Sequence, residues 1–356
     1  MLLHRVALII AMGAVVVLVP SCAPNDHVLL SRVSTADDFA YGLAGRAVVY
    51  SSGDEIHILN GDKLTRLRLA GDALWTTRNS LVISSDGGRL LYRHRATGPS
   101  AVRIPSAGSP IHIAELDLHT GTTKELLRCD GEPLQAMYSP SGRYIAVVVR
   151  RSDHSEEICL VDSTSGRSRV IHGCPAGHLA LLCWSPKDEH IYCWRQKKGA
   201  RAQVVRIARE REAPVVVVHS LPEAIHIEHE MALWPNGRNL LYVKESGEIT
   251  LLSNTGKETS LALISDLRGM LCIPQLSASR RFAAIWYSSF GNPSTGVTGI
   301  CFLDVTSGRI YRISTTGYPY YSMGGWHPSK DILLVGLTDR VGTELRAYNA
   351  DELPLR

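Results

Sequence analysis

The chain has 356 residues, with 38 Lys and Arg against 34 Asp and Glu, and 45% of its residues are apolar. A formal charge of +4 is too mild to call for nucleic acid or an anionic membrane face, and the apolar share is too high for a disordered chain. A single compact core rarely grows past about 250–300 residues, yet no linker interrupts residues 36–350. A fold that grows by adding repeats accommodates both facts.

Residues 1–21 stand apart from that fold. His4 and Arg5 precede an unbroken apolar run of 14 residues, 6–19, too short to span a bilayer comfortably and suited to a signal-peptide core. The run ends at Val19-Pro20-Ser21-Cys22, which resembles the lipobox of bacterial lipoproteins, with Pro20 where Ala, Ser or Thr is usual. The resemblance implies cleavage before Cys22, diacylation of its thiol and stable attachment to a membrane surface. An uncleaved anchor and a plain secreted form are the alternatives. Losing residues 1–21 removes one base and no acid, leaving 37 bases against 34 acids, a net +3. Residues 22–35 read as a tether, within which 28–33 have strand length, and residues 36–356 as one domain.

From residue 40 onward the chain repeats a phrase of short strands and turns, clearest at 134–171. Ser139-Pro140-Ser141-Gly142 is a turn in which proline presets φ and glycine accepts a positive φ. Residues 144–149 form a β-branched run of strand length, and 158–161 a further strand. Asp162-Ser-Thr-Ser-Gly166-Arg167 is a second turn, where the Asp side chain caps backbone N–H groups. Copies of the first turn begin beside Ile83, Trp184, Trp234, Leu276 and Trp326, stepping with Tyr138 by 55, 46, 50, 42 and 50 residues. The second turn recurs at Asp117, Ser253 and Asp304. Two turn types in fixed order at this period predict an all-β propeller of four-stranded blades. Seven blades fit: 40–69, 80–128, 134–171, 179–219, 231–263, 271–314 and 322 onward. Six or eight remain open if blade one or the closure is misread. Blade seven lacks a fourth strand, and residues 28–33 are the right length to fill that slot and close the ring.

The architecture and the aromatic-Ser-Pro-x-Gly-basic phrase resemble the WD-like, TolB-type propeller family. Residues 138–146 fit best, with partial copies at Trp184-Ser185-Pro186, Trp234-Pro235-Asn236-Gly237 and Trp326-His327-Pro328. What the resemblance implies is a scaffold for protein partners at the bacterial envelope, and sometimes the regulatory propeller of a peptidase.

Catalytic motifs are missing from the sequence: there is no G-x-S-x-G, H-E-x-x-H or phosphate loop. His226-Ile227-Glu228-His229-Glu230 is the densest titratable cluster, but on a strand His229 would face away from the others, so it reads as a loop and no metal is expected. Ser84-x-Asp86-x-Gly88 imitates a sialidase Asp box once, and a hairpin already explains it. Of eight cysteines, seven lie beyond Cys22 without a C-x-x-C pair, and most fall in strands as small buried hydrophobes. A Cys129–Cys174 disulfide between neighbouring connections is judged the weaker option.

Long second-to-third-strand loops on one rim are where a rigid scaffold binds. Here they carry a basic sector of Arg93, Arg95, Arg103, Arg150, Arg151, Arg195, Lys197, Lys198 and Arg201, and an aromatic one of Tyr287, Phe290, Tyr318, Tyr320 and Tyr321. The expected function is a membrane-tethered, extracytoplasmic scaffold, monomeric and without a cofactor, that binds an envelope protein or glycan. A propeller hydrolase or lyase with its site at the central channel mouth is the alternative.

Overall fold

A computed structural model of the chain describes residues 9–11, 14–16, 26–33, 39–52, 55–61, 63–69, 72–74, 81–95, 111–210, 214–221, 231–264, 271–288, 298–313, 320–338 and 343–353. Seven antiparallel sheets succeed one another as propeller blades: 39–68, 72–128, 132–174, 177–220, 231–263, 271–312 and 320–349. A separate hairpin pairs Ile9–Ala11 with Ala14–Val16.

The packing follows from alternation along strands that are covered on both faces. In Tyr144–Arg150 of blade three, Ile145, Val147 and Val149 enter a core shared with blade two. Ala146 and Val148, pointing the other way, enter the core shared with blade four. The same division gives seven apolar clusters for seven blades. The seventh joins Phe39, Val48 and Tyr50 of blade one to Leu334 and Leu345 of blade seven. Among the described residues the fourth strands of blades one to six carry most of the exposure, as where Ser168–Cys174 is largely exposed while Tyr144–Arg150 is buried.

The ring is closed by the N-terminal strand. Asp26–Val33 pairs antiparallel with Thr343–Asn349, placing His27 opposite Ala347 and completing blade seven. The turns behave as their residues dictate. Asp162 Oδ1 accepts Thr164 N (3.0 Å) and Ser165 N (2.9 Å), and Asp117 Oδ1 caps His119 N and Thr120 N, both at 2.8 Å. In blades two to five the register slips by one residue between third and fourth strands, a bulge that increases the local twist.

Blade two departs from the sequence reading. Its first strand is in two pieces, Asp72–Leu74 and Val82–Ile83, both paired with Arg89–Arg95. Nothing in Asp72-Ala73-Leu74 repeats the phrase used elsewhere, so the repeat alone starts the blade at residue 80.

Candidate functional site

The two rims of the ring differ in what they offer. On the rim carrying the second-to-third-strand connections, the cations sort into struts and solvent-exposed charges. Arg93 is buried, and its Nη1 donates to Pro133 O at 2.6 Å, so it ties blade two to blade three and is not a rim contact. This corrects its assignment as a partner residue: it lies on a strand with neighbours on both faces. Arg150 donates through Nε (3.1 Å) and Nη2 (2.8 Å) to Oε1 of Glu156, whose side chain is only 2% exposed. Glu156 Oε2 also accepts the Leu179 N–H at 2.6 Å, so this pair braces blade four against blade three. Arg151 is matched by Glu157 at 2.7 Å.

Blade four keeps its charge. Its hairpin reads Arg195-Gln196-Lys197-Lys198-Gly199-Ala200-Arg201, four cations and no acid. Gly199 takes φ +71°, and the turn is closed by Ala200 N to Lys197 O at 3.0 Å. Lys198 N donates to Ala176 O (3.2 Å), which fixes the hairpin to the connection before the blade. Lys197, Lys198 and Arg201 are exposed, and Arg195 is half-buried with Nη2 on Gln203 Oε1 at 2.8 Å. Their positive field is registered by His172: burial first, then Arg195 and Lys197, hold its imidazole below the usual range.

The aromatic sector is not gathered in the same way. Tyr287 is 8% exposed and belongs to the core between blades five and six, which corrects its assignment to the rim. Tyr320 and Tyr321 begin the strand Tyr320–Trp326, opposite Thr338 and Leu337, and Arg95 pairs with Asp72 and Ile111 in blade two. Cys22, Arg103, Phe290, Tyr318 and the cluster at 226–230 lie outside the described residues.

The opposite rim, built from first-to-second-strand turns, holds what the sequence reading missed. The last residues of the first strands and their turns, from blades two to seven, enclose a cavity of about 600 Å³. Leu81, Ala136, Met137, Trp184 and Pro235 give it an apolar wall, and Arg280 is the one charged side chain among the described lining. Trp184 Nε1 reaches Met137 O (3.4 Å) and Trp326 Nε1 reaches Gln275 O (3.1 Å), so each indole braces the preceding blade. Cys183 also lines the cavity, its thiol pushed up to about 12 by burial against the pull of Arg280. All seven described cysteines are free thiols, Cys129 and Cys174 included, and burial raises Cys129, Cys159 and Cys174.

No protein-family model matches the sequence, and no curated protein is similar to it. Solved structures do match. The β-propeller domain of Cps50 (Swd1) from Myceliophteria thermophila superposes with a TM-score of 0.58 at 15% identity, over 88% of this chain and 95% of that one. A puromycin-hydrolyzing peptidase from Mycobacterium tuberculosis gives 0.56 at 14%, over 92% of this chain but 54% of the peptidase. An oligogalacturonate lyase from Vibrio parahaemolyticus gives 0.50 at 12%, over 73% and 75%. At these identities the likeness is one of fold.

Proposed function

We propose that this propeller is a binding scaffold without catalysis, tethered to a bacterial envelope membrane through Cys22, that engages an acidic envelope protein or glycan through the blade-four hairpin of its loop-rich rim. The observation that carries this reading is the division of charge. Arg93, Arg150 and Arg151 are held by buried or paired acceptors, whereas Lys197 and Lys198 stand in solvent on a hairpin whose residues 195–201 include no acid. The described cavity wall supports binding over chemistry, because acid–base or glycosidic cleavage needs converging acid and base groups and the described lining holds no Asp, Glu or His. Among the described residues no helix is long and apolar enough to cross a membrane, so attachment in this reading rests on lipid at Cys22.

Two experiments test it. Cys22→Ser should move the protein from the membrane to the soluble fraction and abolish labelling with a palmitate analogue. Reversing Arg195, Lys197, Lys198 and Arg201 to Glu should abolish cross-linking to envelope partners at low salt while the melting temperature holds. Undiminished cross-linking by the reversed hairpin would retire the rim reading.

A further inference from the structure

The first turn of each blade shows one substitution that packing does not require. In five blades this turn is closed by an N–H three residues on: Gly87 to Ser84, Gly142 to Ser139, Asp188 to Ser185, Gly237 to Trp234 and Arg280 to Ser277. The donor residue is left-handed every time, at φ +71°, +69°, +59°, +70° and +67°. Glycine adopts that region freely, whereas a side chain there costs roughly 1–2 kcal/mol. Three blades use glycine. Blade four uses Asp188, which repays the strain by accepting Ser139 Oγ (2.9 Å) and Ser141 N (3.3 Å) across the blade boundary. Blade six uses Arg280, which reaches no neighbouring blade: its Nη1 donates only to the carbonyls of its own turn, Ser277 and Ala278.

Strain kept without a contact across the blade boundary is a pointer to function, and Arg280 lies in the wall of the cavity. Among the described residues no carboxylate pairs with it. Asp331, whose field reaches it, is engaged by Ser279 N (3.0 Å) and Ser279 Oγ (2.6 Å). Burial disfavours the charged guanidinium, so an incoming anion would relieve an existing penalty. Met137, Trp184 and Cys183 share the wall with Arg280, and Gln275 faces Gly325, where a Cβ would meet nothing nearer than Gln275 Oε1 at 4.0 Å. The size falls within the roughly 300–1,000 Å³ typical of small-molecule pockets, which are mostly apolar with few placed polar groups.

We infer that the turn-rim end of the central channel is a binding site for a small apolar molecule ending in a carboxylate, its apolar body against Met137 and Trp184 and its anion on Arg280. Such an end can belong to a free organic acid or to the C-terminus of a short apolar peptide, and the chemistry is shared. The inference is independent of the loop-rim proposal, since it uses the opposite end of the channel.

Calorimetric titration of the mature chain with octanoate and with 2-naphthoate, each against its neutral partner (octan-1-ol and 2-naphthamide), tests the site. The acids should bind about tenfold or more tightly than the neutral partners. Arg280→Gly should erase that preference while leaving the neutral ligands unchanged, and its melting temperature should hold or rise because glycine relaxes the left-handed turn. Arg280→Lys should keep part of the preference, and Cys183→Phe, which intrudes on the cavity, should weaken acid and neutral ligands alike. An N-acetylated Gly-Leu-Phe peptide with a free C-terminus, compared with its amide, distinguishes the sources: tighter binding than octanoate assigns the site to a chain end, weaker binding to a free acid. The inference is overturned if neither acid binds up to about 10 mM. It is equally overturned if acids and neutral partners bind alike, or if Arg280→Gly lowers the melting temperature and leaves the acid preference intact, which would make Arg280 a brace of its own turn.

Discussion

Glu156 gives the sharpest test of how the blades are held. Its carboxylate accepts the Leu179 N–H at 2.6 Å, Arg150 at 2.8 and 3.1 Å, and approaches His178 Nδ1 at 3.3 Å. Glu156→Ala leaves the Leu179 N–H without its acceptor, a loss of about 1–3 kcal/mol for a buried donor. The ion pair adds no more than about 1 kcal/mol, because the Arg150 side chain is 31% exposed and its charge is partly screened. The total of about 1–4 kcal/mol, set against an unfolding entropy near 2.1 cal/mol/K per residue over this domain, lowers the melting temperature by about 1.5–6 °C. Glu156→Gln keeps an acceptor for Leu179 and should lose about half as much. Thermal unfolding followed by circular dichroism reads both. A shift below about 1 °C for Glu156→Ala would refute the account, and would return Arg150 to the surface residues available for a partner.

Three further outcomes follow from the geometry. Asp188→Ala removes the acceptor of Ser139 Oγ and Ser141 N and should destabilise by about 1–3 kcal/mol in urea titration, whereas Asp188→Gly should lose less because it also releases the positive φ. Gly324→Ala would put its Cβ 2.1 Å from Phe39 Cδ2 at the seam of blades one and seven, so about 1–3 kcal/mol should be lost and proteolysis should begin there. Burial holds His57, His172, His219 and His327 below the ordinary 6.5. The unfolded chain therefore takes up those protons first, so stability present above pH 6.5 is lost as pH falls from there through the folded values. A melting temperature flat between pH 7 and 5 would contradict this. Asp117 and Asp162, kept low by backbone N–H donors at Thr120 and Ser165, contribute a second decline only below about pH 4.

The turns made the fold legible. A proline or glycine that presets φ, and an Asp that caps its own turn, leave the same mark in several blades even where strand residues have drifted, so Ser139-Pro140-Ser141-Gly142 and Asp162 to Arg167 could be read directly. The blade count followed, as did most blade limits. The site was harder, because function there depends on which face a residue takes and what lies across a blade boundary. Arg93 and Tyr287 look like rim residues in sequence, but each lies on a strand covered on both sides. Arg150 could not be separated from Lys197 without knowing that Glu156 folds against it. Loop length drew attention to one rim and away from the cavity at the other, although a signal existed: Arg280 stands where the equivalent turns carry Gly87, Gly142 and Gly237.

The pairing of Asp26–Val33 with Thr343–Asn349 has a consequence for how the molecule is made. Asp26–Val33 leaves the ribosome well before Thr343–Asn349, so it must wait while the intervening blades form, and blade seven is incomplete until the two pair. Until that pairing forms, the seam faces, Phe39 and Tyr50 on one side and Leu334 and Leu345 on the other, remain wet and adhesive. A chain that stops before Thr343 would therefore forfeit the third strand of blade seven and its clasp together, leaving an unlatched collar prone to join its neighbours.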